Sequence, residues 1–283
     1  MLAPICLRVL LALLVDDFED DAWARDLIAQ RLSGEMRAGS LSLSSILSVS
    51  VWLPAWQLLC AACERVVQEP YYVPKMLSAL FGGLSPAIVY ALARHLAQGR
   101  GDEDPSRAAW FAWAFAALSP WHAMYSAIGM TESFYGFWTV AAMYALVRSR
   151  SDNRWLIVAA LALGPATWTR FEGWVLAGAI PAIALAQRRA RPGVFVAACV
   201  VIAVPPVLWL AINRAVAGDA LHFARVGAND VRNFLAFRGP EWSDRGPFAI
   251  ARHMAYIAAV NGVIVALLAG RGLLRKRTAD TKA

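Results

Sequence analysis

Apolar blocks of near-spanning length, cut by short runs of charge, constrain this chain more than any other feature. Such blocks lie near residues 73–97, 107–123, 131–147, 155–168, 171–187, 194–212 and 253–269. A bilayer core of about 30 Å needs about 20 apolar residues per helix, and only helices or closed barrels satisfy their own backbone there. The pattern therefore predicts an all-α, polytopic transmembrane helix bundle. Composition agrees, with 59% hydrophobic and 17% charged residues, where soluble domains average about 25% charged. An earlier block, 2–15, is shorter and carries Arg8 mid-run. Counted as a span, it makes about eight; the other reading, a signal peptide, lacks the basic start and small-residue cleavage site.

Orientation follows from the short basic connections. Arg94, Arg100 and Arg107 flank the turn after the second span, and Arg148, Arg150 and Arg154 follow the fourth. Arg188, Arg189 and Arg191 follow the sixth, and Arg271, Arg275, Lys276 and Arg277 the last. Every second connection is basic, which predicts both termini in the cytoplasm. A single domain over 1–270 would then end in a basic cytoplasmic tail, 271–283. The net charge of +7 is accounted for by topology, with no nucleic-acid partner. Segments 16–72 and 213–252 fall on the far face, with the turns at 125–130 and 169–173. Lys75, Arg170, Arg225 and Arg232 lie there against the usual bias, and an anionic ligand is one reason for such placement.

Within 16–72, Ala24, Leu27, Ile28 and Leu32 recur at helical spacing, with Arg25, Asp26 and Arg31 opposite. This predicts an amphipathic interfacial helix ended by Ser33-Gly34. A second interfacial helix is expected after Pro54, carrying Trp56, Leu58 and Leu59 up to Glu64-Arg65. Cys60-x-x-Cys63 has no second pair or flanking histidine, so it reads as small apolar packing rather than a zinc or redox site.

Three groups of residues point to chemistry. Asp16, Asp17, Glu19, Asp20 and Asp21 crowd the mouth of the first block. Clustered carboxylates at a membrane boundary suit a general base, or oxygen ligands for a divalent cation. Capping, with Asp21 paired to Arg25 at i, i+4, is the plainer reading for any one of them. Glu132 follows Thr131, an expected N-cap, and sits where a helix dipole favours an acid. Arg170 and Glu172 stand between two spans that almost touch. Arg170 is expected either to pair with Glu172 or Glu132, or to bind a phosphate through its planar fork. His122 reads as structural. No phosphate-binding glycine loop, zinc-protease motif or serine-hydrolase elbow occurs.

Taken in order, these stretches resemble the GT-C superfamily of polyprenyl-phosphate-sugar-dependent glycosyltransferases, which includes protein O-mannosyltransferases and lipid A aminoarabinose transferases. Asp20-Asp21-Ala22-Trp23 is similar to the family's Asp-Glu-Ala-Tyr opening, and Trp52-Leu53-Pro54 to its Trp-Pro-Pro. Pro120…Met130-Thr131-Glu132-Ser133 resembles its Pro…Thr-Glu turn, and Thr169-Arg170-Phe171-Glu172-Gly173-Trp174 its Thr-Arg-Tyr-Glu-Gly-Trp. Asn213…Gly218-Asp219-Ala220-Leu221 resembles its Asn…Gly-Asp-Pro-Leu stretch. The resemblance implies an integral-membrane transferase on the outer face of a bacterial inner membrane. A monosaccharide would pass from a lipid-borne polyprenyl phosphate to an acceptor hydroxyl on a protein, lipid or glycan. It also implies Asp20, then Asp21, as catalytic carboxylates, with Glu132, Arg170, Glu172 and Lys75 around the substrate phosphate. A divalent cation bridging acids and phosphate stays open. So do two alternatives: a transporter or translocase of lipid-linked substrate, and an inactive relative.

Overall fold

The computed structural model describes residues 2–16, 20–47, 52–186 and 191–226, with the backbone alone at Asp20. All regular structure among them is helical: α1 (Ala3–Leu14), α2 (Asp20–Ala38), α3 (Leu43–Leu47), α4 (Ala55–Val67), α5 (Tyr72–Gly99), α6 (Pro105–Leu118), α7 (Pro120–Tyr125), α8 (Thr131–Arg148), α9 (Arg154–Thr167), α10 (Glu172–Ala186) and α11 (Pro192–Ala217). They belong to one compact unit, Met1–Ala224; a second, Arg225–Ala283, lies almost wholly outside the described residues. The expected eighth span (253–269), the basic tail (271–283), Arg232, the cluster acids Asp17 and Glu19, and Arg188 and Arg189 also fall outside them.

Two described helices, α5 with 28 residues and α11 with 26, are long and apolar enough to cross a membrane. The apolar helices α1, α9 and α10 are shorter, at 12, 14 and 15 residues. Proline shapes the rest. Pro105 opens α6 behind Asp104, whose Oδ1 accepts from the Arg107 amide at 3.1 Å. Pro120 then divides the block expected at 107–123 into α6 and the six-residue α7, because proline has no N–H to continue the ladder. Thr131 is the first residue of α8; Met130, extended and without a side-chain bond, takes the N-cap position expected for Thr131.

Small side chains let the bundle helices approach. Ala142, Ala145, Ala159, Ala160, Ala166, Ala184 and Ala198 pack with Leu163, Ile180 and Ile202 between α8, α9, α10 and α11. Close packing of small residues is how helices associate where lipid removes the hydrophobic drive between them. Likewise α1 lies directly on α5 at Gly83, where an added Cβ would sit 2.6 Å from the Ile5 Cα. Outward, α11 presents Val196, Val200, Val204 and Val207. Arg8, inside α1, is fully buried; its guanidinium donates to the Pro4 carbonyl (3.1 Å), to the Ala116 carbonyl (3.3 Å) and to His122 Nδ1 (2.9 Å). His122 thus has the structural part expected of it.

The two helices of segment 16–72 differ from expectation in detail. The first, α2, runs through Ser33-Gly34 and stops at Gly39, whose φ of 67° ends it. Its buried face is Ala22, Arg25, Asp26, Ala29, Leu32 and Ser33, while Trp23 and Leu27 point outward. The expected polarity of this helix therefore holds at Leu32 and Arg31 and is reversed at Arg25, Asp26 and Leu27. The reason lies in α4, the second helix, against which α2 packs. That neighbour brings buried Gln57, Cys60 and Glu64, so α2 meets polar groups on its inner side. Ala29, Trp56, Cys60 and Phe134 join the pair to α8, with Leu77 and Phe81 of α5 alongside.

Candidate functional site

The turn from α9 to α10 is built so that two charged side chains are left over. Its backbone closes tightly, and a Cβ on Gly173 would lie 2.8 Å from the Ala166 carbonyl oxygen. The neighbouring polar groups are consumed locally. Thr169 Oγ1 donates to the Pro165 carbonyl (2.6 Å), Trp174 Nε1 to Thr167 (2.9 Å) and Trp168 Nε1 to Pro205 (2.7 Å). The Ala55 amide donates to the Trp168 carbonyl (2.9 Å), tying the turn to the start of α4. Phe171 stacks on Phe223, ring centres 4.9 Å apart, and the Phe223 amide donates to buried Asn213 at 3.2 Å. Arg170 and Glu172 are not used up in this way.

They edge a cavity of about 280 Å³, just under the ~300–1,000 Å³ usual for small-molecule pockets. Asp21 and Arg25 enter it from α2, Trp52 and Leu53 from the approach to α4, Glu132 from the first turn of α8, and Thr169 to Glu172 from the turn. Four of the stretches that carry the sequence resemblance thus line one space.

Arg170 is the best-bonded charge in it. Nη1 donates to Glu132 in a short contact, Nη2 donates to Glu172 at 2.9 Å, and Nε reaches both Glu172 oxygens at 3.3 Å. Burial works against the Arg170 charge, but its bond to Glu172 and the fields of both acids outweigh it and hold its pKa above the ordinary value. Both outcomes expected for an ion pair, with Glu132 and with Glu172, therefore occur together.

Arg25 is held differently. It is only 5% exposed, and its guanidinium lies 4.6 Å over the Trp52 ring. Asp21, one helical turn earlier, is 4.0 Å away, and with its amide oriented to suit both neighbours Gln57 accepts from Nη1 at 3.2 Å. Nε has no partner among the described residues. Burial lowers the Arg25 pKa to about 10, against the pull of Asp21 and Glu132, so it stays cationic at neutral pH.

Of the residues expected from sequence, Asp21, Glu132, Arg170 and Glu172 come together, and Asp20 precedes Asp21 at the start of α2. Lys75 does not line the cavity. It is buried in α5, donating to the Val15 carbonyl (2.5 Å) and to the Tyr71 hydroxyl (3.1 Å), which fastens the end of α1. The sequence places Arg25 opposite the apolar stripe of its helix and pairs it with Asp21 at i, i+4; that pair is present, and the place of Arg25 in the cavity wall is what the spacing alone does not show. Among the described residues no three His, Cys, Asp or Glu side chains are grouped as metal ligands.

A model of the family described as dolichyl-phosphate-mannose-protein mannosyltransferase matches residues 53–209. The matched stretch contains Glu132, Arg170 and Glu172 and begins at Leu53 in the cavity wall. No curated protein and no solved structure matches the chain.

Proposed function

The chain belongs to the dolichyl-phosphate-mannose-protein mannosyltransferase family, within the GT-C membrane glycosyltransferases, and from that premise we propose that it transfers a monosaccharide from a polyprenyl-phosphate donor to an acceptor hydroxyl. The reaction is assigned to the extracytoplasmic face of a bacterial inner membrane, in a bundle of about eight spans with both termini cytoplasmic. The donor's isoprenoid would lie in lipid beside the bundle, and its sugar phosphate would enter the cavity. The observation that carries this reading is the convergence of Asp21, Glu132, Arg170 and Glu172 on one space.

The chemistry asks for a base and for a counter-charge. The acceptor oxygen attacks the anomeric carbon, the bond from that carbon to the phosphate oxygen breaks, and the acceptor proton passes to a carboxylate. Asp20 or Asp21 is the base; both stand at the first turn of α2, and Asp21 faces the cavity. Positioned carboxylates of this kind contribute about 10²–10⁴ in rate. The electron pair of the broken bond stays with the polyprenyl phosphate. Arg170, fixed from both sides by Glu132 and Glu172, supplies positive field where that charge grows, with Lys75 acting at longer range.

Purified full-length chain in nanodiscs, given radiolabelled polyprenyl-phosphate mannose and a membrane extract as acceptor, tests the proposal. Release of polyprenyl phosphate and labelled product are both followed, comparing wild type with Asp20→Asn and Asp21→Asn. At least one substitution is expected to reduce turnover by about 10²-fold or more. If wild type is active and neither variant slows it, the assigned bases are wrong.

A further inference from the structure

Resting on that reading, we infer that Arg25 of α2, rather than Arg170, makes the direct contact to the donor's lipid-borne phosphate. Two cations among the described residues line the cavity, and they differ in how far their charge is already spent. All three nitrogens of Arg170 are engaged by carboxylate oxygens of Glu132 and Glu172. A phosphate reaching Arg170 must first displace a carboxylate from a fork that already has ideal partners. Among the described residues Arg25 has no such occupant. The carboxylate paired with it there, Asp21, stays at 4.0 Å and is more than half exposed, and its Nε donor is buried with no partner among the described residues. A buried cation with no carboxylate in close contact among the described residues gains from a negative ligand that completes its bonds.

Its surroundings also hold it ready. The plane of the guanidinium rests over Trp52, and Gln57, fully buried in α4, fixes one edge. A fork held in one orientation loses little freedom when a planar or tetrahedral oxyanion docks, which is where arginine exceeds lysine. Arg25 also lies one turn after Asp21 on the same face of α2. A phosphate held by Arg25 would then leave its anomeric carbon near the carboxylate that accepts the proton. Arg170 remains the wall that weakens the repulsion of the phosphate by Glu132 and Glu172, because it offsets one of their two charges and holds both carboxylates by hydrogen bonds.

Binding of undecaprenyl phosphate, undecaprenol and inorganic phosphate to the full chain in nanodiscs tests this apart from catalysis. Wild type is expected to bind the lipid phosphate at least tenfold tighter than the alcohol, with inorganic phosphate a weak competitor. Arg25→Gln is expected to erase that preference through a loss of about ten- to a hundredfold in affinity. Arg25→Lys, which keeps charge without the fork, should fall between, and Trp52→Leu should weaken binding without removing the charge. In the transfer assay the Arg25 variants should raise the donor KM and leave the acceptor KM within twofold. If a folded Arg25→Lys or Trp52→Leu chain keeps wild-type preference for phosphate over alcohol, the inference is overturned. It is equally overturned if inorganic phosphate competes as well as the lipid does. Should wild type bind the lipid phosphate through Arg25 yet transfer no sugar, this site stands and the proposed reaction falls. Should transfer proceed with an unchanged donor KM in the variants, the reaction stands and this site falls.

Discussion

Gly173 decides where Arg170 points. The turn it sits in passes so close to the end of α9 that any side chain there meets backbone, with the Ala166 carbonyl carbon and the Thr167 Cα both 2.9 Å from a built Cβ. Backbone cannot step aside as a flexible side chain can, and overpacking of this kind costs about 1–3 kcal/mol. Gly173→Ala should therefore shift the turn, move the Arg170 clamp off Glu132 and lower transfer by about tenfold to a hundredfold. Steady-state rates beside a thermal melt would check it, since the expected chain folds, melts lower and turns over slowly. The same residues were readable in the bare sequence as a unit, because an arginine and an acid wedged between two apolar blocks have few partners other than each other. Arg25 was not readable in that way. Its role depends on which face of α2 is buried, and that is set by the polar groups of α4, far along the chain.

At the scale of elements, the α2–α4 pair buries polar groups beside its apolar ones and leaves apolar side chains on its outer side. Trp23 and Leu27 of α2 and Val66 and Val67 of α4 face outward, and Arg25, Asp26, Gln57 and Glu64 face inward. A helix at a membrane boundary has apolar surroundings available on its outer side, so periodicity alone does not say which stripe is the core. The lengths of these helices suffered similarly, since α2 continues past Ser33-Gly34 until Gly39 supplies a left-handed end. Glu64 gives the layer a pH dependence. Burial raises its carboxyl from 4.5 to about 7, with Arg37 opposing in part, and Oε1 has no bonding partner among the described residues. The folded chain thus holds a proton that the unfolded chain releases above about 4.5. Stability from this group is full below that pH and is lost as pH rises through about 7. Thermal melts from pH 5 to pH 8 should show a falling midpoint in wild type and a flatter profile in Glu64→Gln, which keeps the shape and removes the titration. Equal slopes in the two chains would remove Glu64 from the account.

For the whole molecule, the helices at 73–97, 131–147, 155–168, 171–187 and 194–212 were legible because apolar runs between arginines leave little freedom, and α5, α8, α9, α10 and α11 begin and end within a few residues of those limits, apart from the later end of α11 at Ala217; of them α5 and α11 are long and apolar enough to cross a membrane. Their lengths carry a further consequence. At ~1.5 Å per residue, the 14 residues of α9 extend only about 21 Å, well short of a ~30 Å hydrocarbon core. If its basic end, Arg154, is held at the cytoplasmic headgroups, the turn bearing Arg170 lies below the opposite surface, at the depth where a lipid phosphate would have to enter. That makes sidedness the property on which the proposed reaction stands. Ser40, in the turn after α2, and Ser151, between α8 and α9, are both exposed and outside the cavity lining, and suit single cysteines. In a chain with Cys6, Cys60, Cys63 and Cys199 replaced by alanine, a membrane-impermeant maleimide should label Ser40→Cys in intact cells. Ser151→Cys should react only after the membrane is opened, because the arginines on both sides of it favour the cytoplasm. Labelling of both positions from the same side would put the α2 helix and the basic turn on one face. The cavity would then no longer open away from the cytoplasm, and the proposed reaction, which draws on lipid-linked rather than nucleotide-linked sugar, would lose its reason.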